Sequence, residues 1–121
     1  MMEHLIAALI MVECSGDLTP PDGDGGKAIG PLQVRILAIK DVNRVYGTHY
    51  THEDMRDLQK ATEVCVAYLN IWATPKHIGR AVTDMDRARI WVGGPDGWRE
   101  KETIPYWLKV RREMIRQRIA K

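Results

Sequence analysis

The chain has few of the features that mark special classes of protein. It contains only two cysteines, Cys14 and Cys65, so folding does not require a disulfide framework. Its formal net charge of +2 excludes a strongly basic binder of polyanions. Its four histidines share no spacing typical of metal ligands, so we expect neither a metal site nor a cofactor.

Long apolar runs are also missing. The run over residues 5–12 is short and follows Glu3 rather than a lysine or arginine. It therefore fails both as a signal peptide and as a membrane span. We expect a protein that is made in the cytoplasm, carries no signal peptide and does not cross a membrane.

The sequence shows no convincing alternating strand pattern and no internal repeat, and its apolar residues recur mostly at three- and four-residue steps. It therefore predicts one all-α domain over residues 1–121, with helices over 2–14, 31–46, 51–72, 84–91 and 103–120. Thr51 with Asp54 resembles a capping box, and Thr103 is the expected cap of the last helix. The second helix should bury a stripe formed by Leu32, Ile36, Ile39, Val42 and Val45.

Glu13 is the first candidate for chemistry. It is the next position on the apolar face of the first helix, which is formed by Met2, Ile6, Leu9 and Ile10. Burial and the negative end of the helix would both raise the pKa of a carboxyl there, as a general acid requires. The alternative is a half-exposed glutamate at a frayed helix end, paired with a lysine or arginine.

A glycine-rich segment over residues 22–30 holds the second candidate, Asp24. Glycines permit positive φ angles and let the backbone approach a ligand closely, so the loop can fold tightly under a bound chain. Asp-Gly pairs are also ordinary turn residues. A calcium loop is not indicated, because the glutamate that completes such a loop is absent from residues 28–35.

Three blocks, in the same order as in a known superfamily, cover most of the chain. Residues 13–16 and 28–34 resemble the Glu-Ser-(Gly) and Gly-Ala-x-Gly-Leu-Met-Gln-(Val/Ile) signature of soluble lytic transglycosylases. Residues 23–26 are closer to the Gly-Asp-Arg-Gly of goose-type lysozymes. Residues 88–95 resemble the family's Ala-x-x-Tyr-Asn-x-Gly, and residues 103–110 resemble its Thr-x-x-Tyr-Val-x-x-Val.

This resemblance implies a compact lysozyme-like helical domain with a glycine-rich active-site loop. It implies cleavage of the β-1,4 bond between N-acetylmuramic acid and N-acetylglucosamine in peptidoglycan, with Glu13 as general acid and Asp24 as the group that activates water. The implied substrate-binding residues are Gln33, Trp91 and Tyr106, with Asp22 or Asp17 in place of the acidic residue that goose-type enzymes supply from a longer loop. The partner would be the glycan strand, and we expect a monomer.

The sequence also departs from the family pattern. Pro31 and Leu32 replace the usual Leu-Met, and proline suits the first turn of a helix, so Gln33 should be presented where a helix begins. Val92 stands where the family has Asn, which removes a polar group from the expected cleft. Cys14 replaces the Ser after the catalytic Glu, a change between small residues.

Several functions therefore remain open. If no group activates water, the substrate's own hydroxyl or acetamido group would complete the reaction, as in a lytic transglycosylase that forms anhydro-muramic products. Val92 is consistent with a catalytically weak relative that only binds peptidoglycan. A helical nucleic-acid module would use the basic last helix, but no recognition motif supports it and we expect no nucleic acid.

The basic residues of that helix are Lys109, Arg111, Arg112, Arg116, Arg118 and Lys121. Spread around a helix, such residues usually form a solvated surface, and anionic wall polymers would attract them as well. Without an export signal, the protein would reach the wall through a lysis pore, in a virion, through a secretion apparatus, or as a domain of a larger protein.

Overall fold

Helices dominate the structure, a computed structural model that describes residues 2–120, with side chains through Arg118. Its α-helices are α1 (Glu3–Cys14), α2 (Ile36–Tyr46), α3 (Leu58–Trp72), α4 (Pro75–Ile78), α5 (Asp84–Gly93) and α6 (Ile104–Ala120). The strands are β1 (Ala28–Ile29) and β2 (Val34–Arg35), and short 3-10 helices span Asp24–Gly26, Glu53–Arg56, Gly97–Arg99 and Lys101–Thr103. The predicted mainly-α fold is confirmed.

The described chain divides into two compact units. The first unit combines residues 2–12 with residues 72–120, and the second is Glu13–Ile71. A single domain over residues 1–121 stays a prediction. Within the described residues, no helix is both long and apolar enough to cross a bilayer.

A small β-hairpin in the second unit corrects the predicted helix over residues 31–46. Strands β1 and β2 pair antiparallel, with Ala28 opposite Arg35 and Ile29 opposite Val34. The turn between them is closed by the backbone N–H of Gln33, which donates to the carbonyl oxygen of Gly30 at 2.9 Å. Gly30 and Gln33 have φ angles of 82° and 50°, which reverse the chain before a helix can begin. The helix therefore begins at Ile36.

The stripe predicted for the second helix is only partly right. Ile39 and Val42 are buried, but Ile36 and Val45 are exposed. Leu32 is fully buried, but it lies in the hairpin turn and not in a helix. Helix α2 ends as expected at Gly47, whose φ angle of 66° places it in the left-handed region.

The predicted helix over residues 51–72 is two elements. Thr51 and Asp54 do form a reciprocal pair, with backbone-to-side-chain distances of 2.8 and 3.2 Å, but they open the short 3-10 helix Glu53–Arg56. Asp57 is then extended, with φ −82° and ψ 124°, and its carboxylate accepts a hydrogen bond from the Lys60 amide at 3.0 Å. Helix α3 begins only at Leu58.

In the first unit, a buried carboxylate organises the start of α5. Thr83 and Asp86 form a capping box, and Asp86 also accepts two hydrogen bonds from Arg80 at 2.7 and 2.8 Å. Asp86 is almost completely buried. Because a buried charge is tolerated only when it is paired, this network fixes the loop before α5 onto the helix.

Thr103, the predicted cap of the last helix, directly precedes α6. Its hydroxyl accepts a hydrogen bond from the Arg89 guanidinium at 2.8 Å and lies 2.7 Å from the carbonyl oxygens of both Gly97 and Glu100. Thr103 and Arg89 are both buried. The hydroxyl therefore joins α5 to the two short 3-10 helices that precede α6.

We predict that Thr103→Val destabilises the fold by about 1–3 kcal/mol, because valine leaves the buried Arg89 donor without its partner. Urea unfolding of wild type and variant measures the difference. Thr103→Ser is the matched control, since it keeps the hydroxyl and loses one methyl group, worth about 1 kcal/mol. A valine variant destabilised by less than about 1 kcal/mol would contradict this role.

Candidate active site

Glu13 lies in the last turn of α1 and is half-buried. The helix ends directly after it, because Ser15 and Gly16 adopt left-handed φ angles of 54° and 84°. The Asp17 amide then donates to the Cys14 carbonyl oxygen at 2.9 Å and closes the turn. A half-buried carboxyl is thus held at an abrupt helix end.

The interior beside Glu13 contains a cysteine of α3. The Cys65 thiol is fully buried, and burial raises its pKa above the usual value, with a further contribution from the Glu13 carboxylate. The two groups therefore lie within electrostatic range inside the second unit. Because the thiol stays protonated, it adds no second negative charge beside Glu13. Cys14 and Cys65 are both free thiols.

The glycine-rich segment folds back on itself before β1. Gly23 and Ala28 exchange two backbone hydrogen bonds, of 2.8 and 3.1 Å, around the 3-10 helix Asp24–Gly26. Asp24, Gly25 and Gly26 have φ angles of 51°, 65° and 91°. This loop needs three consecutive left-handed residues, which explains why two of them are glycine.

Asp24 projects from this loop and pairs with Arg35 on β2 through Nη1 and Oδ2. About half of each side chain is exposed, at 51% for Asp24 and 53% for Arg35. The hydrogen bond from Arg35, together with its charge, holds the pKa of Asp24 below its usual value. Asp24 is therefore ionised at neutral pH, with one carboxylate oxygen bound to a cation.

Asp22 has a different partner. The Arg56 guanidinium donates to both of its oxygens, at 2.8 and 3.1 Å, and donates to Glu53 at 2.6 Å as well. The hydrogen bonds from Arg56 lower the pKa of Asp22. Asp22 therefore ties the start of the glycine loop to the 3-10 helix Glu53–Arg56.

Gln33 is not at a helix start as predicted but is the last residue of the hairpin turn. Its side-chain amide donates to the carbonyl oxygen of Gly30 at 3.0 Å and lies 3.5 Å from that of Pro21. Its Oε1 occupies the space that a Cβ atom on Gly23 would need. Gln33 therefore joins the two ends of the glycine-rich segment.

Two contacts hold the hairpin on its own unit. The backbone at Gly30 packs so closely on the Met55 carbonyl that any Cβ atom would overlap with it. The His52 ring lies 2.9 Å, through Nε2, from the Val34 carbonyl oxygen. The 3-10 helix that carries Met55 and Arg56 thus supports both the turn and the loop.

The predicted aromatic residues belong to the first unit. Trp91 lies on α5 and Tyr106 on α6, and both are half-buried. Val92, which stands where the family has Asn, is exposed on α5. Nearby in sequence, Trp98 is flanked by the guanidinium groups of Arg80 and Arg99, at 5.8 and 5.6 Å from its ring centre.

No sequence pattern indicated the two arginines of the site, Arg35 and Arg56. Each lies far along the chain from its carboxylate, eleven and thirty-four residues away. The strand register, which pairs Ala28 with Arg35, brings β2 beside the glycine loop. The position of Arg35 could not be predicted because the sequence pattern indicated a helix in place of the hairpin. Arg56 gave no signal, because its contact depends on how the loop packs.

Among the described residues, no group of three or more histidine, cysteine, aspartate or glutamate side chains is arranged to hold a metal ion. Asp22 and Asp24, the carboxylates of the glycine loop, are instead each paired with an arginine.

No protein-family model and no curated protein matches this chain. The arrangement within the second unit is a half-buried carboxyl at a helix end and a glycine loop whose two carboxylates are each paired with an arginine. The same unit supplies a glutamine that closes the loop. Carboxyl groups can act as general acids or bases when a substrate lies within hydrogen-bond reach.

We predict that Gly23→Ala destabilises the fold by about 1–3 kcal/mol, because the new methyl group displaces the side-chain amide of Gln33. In a Gln33→Ala background the clash is gone, so the same substitution should cost at least about 0.5 kcal/mol less. Urea unfolding of the four proteins measures this coupling.

Gly25→Ala combined with Gln33→Ala serves as the control pair. A Cβ atom at Gly25 meets nothing within 4 Å, so its cost comes from the positive φ angle and should add independently to that of Gln33→Ala. Additive effects for Gly23 and Gln33 as well would show that the predicted clash does not occur.

Proposed function

We propose that the protein cleaves the β-1,4 bond between N-acetylmuramic acid and N-acetylglucosamine in peptidoglycan, with Glu13 as general acid. The observation that carries the proposal is the position of Glu13. It is a half-buried carboxyl at the abrupt end of α1, beside a buried neutral thiol and in the same unit as the glycine loop. The resemblance of residues 13–16 and 23–34 to lysozyme-like signatures supports the same chemistry.

Glycoside cleavage needs a proton donor for the departing sugar oxygen. In our proposal Glu13 supplies that proton as the general acid. Gln33 keeps the glycine loop in shape for the glycan. Asp22, Trp91 and Tyr106 are the further residues that we propose to contact the sugars.

Asp24 is the proposed base. A base must be ionised before the reaction, and the Arg35 pair keeps Asp24 ionised at neutral pH. The same pair lowers its proton affinity and occupies one oxygen, so Asp24 would use its other oxygen to orient and deprotonate water. The reaction would then be an inverting hydrolysis, in which the two carboxyl groups stand about 6.5–9.5 Å apart.

The contact between Asp24 and Arg35 also favours a second candidate, the lytic transglycosylase. A carboxylate bound to a guanidinium is a weak base, and without effective water activation the substrate's own group closes an anhydro ring. In this case Asp24 is a structural residue of the loop. The two candidates share Glu13 as the acid and differ in their products.

We predict that Glu13→Gln folds normally and loses lytic activity by about 10²–10⁴-fold, because the amide keeps the shape of the side chain but cannot donate the proton. Loss of turbidity of purified peptidoglycan measures the rate, and circular dichroism checks the fold. Glu102→Gln, an exposed change in the first unit, is the control and should keep wild-type activity.

Activity of the Glu13→Gln variant within a few-fold of wild type would overturn the assignment of Glu13. A wild-type protein that binds peptidoglycan without cleaving it would instead identify a binding-only relative. Val92 is exposed and stands where lysozyme-like sequences have Asn. Its lack of a polar group favours loss of cleavage over loss of binding.

Arg35→Gln tests whether Asp24 is the base. Removing the guanidinium should raise the pKa of Asp24 toward its ordinary value of 3.8. Because a base must be deprotonated to act, the acidic limb of the pH–rate profile should move to higher pH.

If Asp24 is the base, digests by the wild-type protein should contain reducing-end muramic acid. The variant Asp24→Asn should also slow cleavage far more than Asp22→Asn.

An acidic limb that does not move, with only anhydro-muramic products by mass spectrometry, would identify the transglycosylase. Neither result depends on the assignment of Glu13, since both reactions need the same acid.

A further inference from the structure

Helix α6 carries apolar side chains on its outer face. Ile104, Leu108 and Ile115 are 38%, 51% and 41% exposed. Their spacings of four and seven residues place them along one line of the helix. We call these three residues the apolar ridge. The opposite side of the helix faces its own unit through Val110, which is completely buried.

Basic side chains border the apolar ridge on both sides. Helical periodicity places Arg111 and Arg118 along one edge and Arg112 and Arg116 along the other, and all four are exposed. The one carboxylate of α6, Glu113, lies away from the ridge, is only 17% exposed and pairs with Arg116 at 3.2 Å. The outer face is therefore apolar along its centre and positively charged at both edges.

This combination narrows the class of partner. A nucleic acid or an anionic wall polymer would attract the arginines but would leave the apolar ridge in water. A second copy of the chain would cover the ridge, but the bordering arginine rows of the two copies would repel each other. An anionic lipid surface satisfies both features, because acyl chains accept the ridge while headgroup phosphates meet the flanking guanidinium groups.

We propose that α6 binds the surface of an anionic lipid bilayer, with the helix lying in the interfacial plane and the apolar ridge inserted. The helix is not both long and apolar enough to span the bilayer. This surface is independent of the proposed glycosidase chemistry of the second unit. It would concentrate the protein beside a membrane.

Co-sedimentation of the full chain with vesicles tests the proposal. The protein should bind vesicles of mixed phosphatidylcholine and phosphatidylglycerol at least about tenfold more tightly than vesicles of phosphatidylcholine alone. The variant Arg112→Gln/Arg116→Gln should weaken binding to the anionic vesicles, by about fivefold per charge lost. The variant Leu108→Gln/Ile115→Gln should weaken binding to the anionic vesicles by a similar overall factor, without changing the net charge of the protein.

Matched controls lie outside α6. Lys40→Gln/Lys76→Gln removes two exposed charges, and Leu37→Gln/Val45→Gln removes two exposed apolar side chains of α2. Both double variants should bind like wild type. Circular dichroism before sedimentation establishes that every variant is folded.

The ridge variant decides the outcome. If Leu108→Gln/Ile115→Gln binds anionic vesicles like wild type, the ridge does not insert and the proposal is wrong. The same holds if duplex DNA or a soluble polyanion binds as tightly as the vesicles, because α6 is then a general polyanion surface. Concentration-dependent dimers that disappear in the ridge variant, without vesicle binding, would likewise replace the lipid with a second copy.

Discussion

The candidate site depends on the close backbone approach that the glycines of residues 23–30 permit. At Gly30 the turn rests directly on the Met55 carbonyl, and at Gly23 the loop lies directly beneath the Gln33 amide. A methyl group at either position would overlap with the neighbouring atom. The loop that carries Asp24 can therefore lie against the 3-10 helix Glu53–Arg56 only while these positions lack a side chain. The ion pairs of the loop follow from that closeness.

This constraint gives structural reasons for motif residues that also suggest chemistry. Gln33 joins Gly30 to the start of the loop, and Gly23 leaves room for it. Asp22 and Asp24 each hold an arginine. A resemblance in this segment therefore reports first on how the loop is built. Glu13 is different, since its place in the last turn of α1 is set by the helix end and not by the loop.

Much of the helical fold could be predicted from the sequence, because periodicity and end signals act locally. Gly47 ends α2 and Thr83 opens α5, as residues of those types should. The hairpin could not be predicted, since strands of two residues are too short to show alternation and Pro31 imitates a helix start.

In the site, the position of Glu13 at the end of the first helix was predictable for the same local reason. The partners Arg35 and Arg56 were not, because each contact joins residues that only the folded loop brings together. The break at Asp57 was also missed, since the apolar pattern continues through it while the backbone turns extended. Local patterns thus fixed the helices, and packing of the loop decided the rest.

The register of the hairpin has a consequence for how this protein can change over evolution. Side chains on a strand alternate between two faces, so a single residue inserted into the turn between β1 and β2 would send Arg35 to the opposite face, away from Asp24. A substitution at an exposed position with an ordinary φ angle, such as Lys27, leaves that geometry in place. The length of this turn is therefore constrained in addition to its glycines, and relatives of this chain should rarely carry an insertion or deletion here.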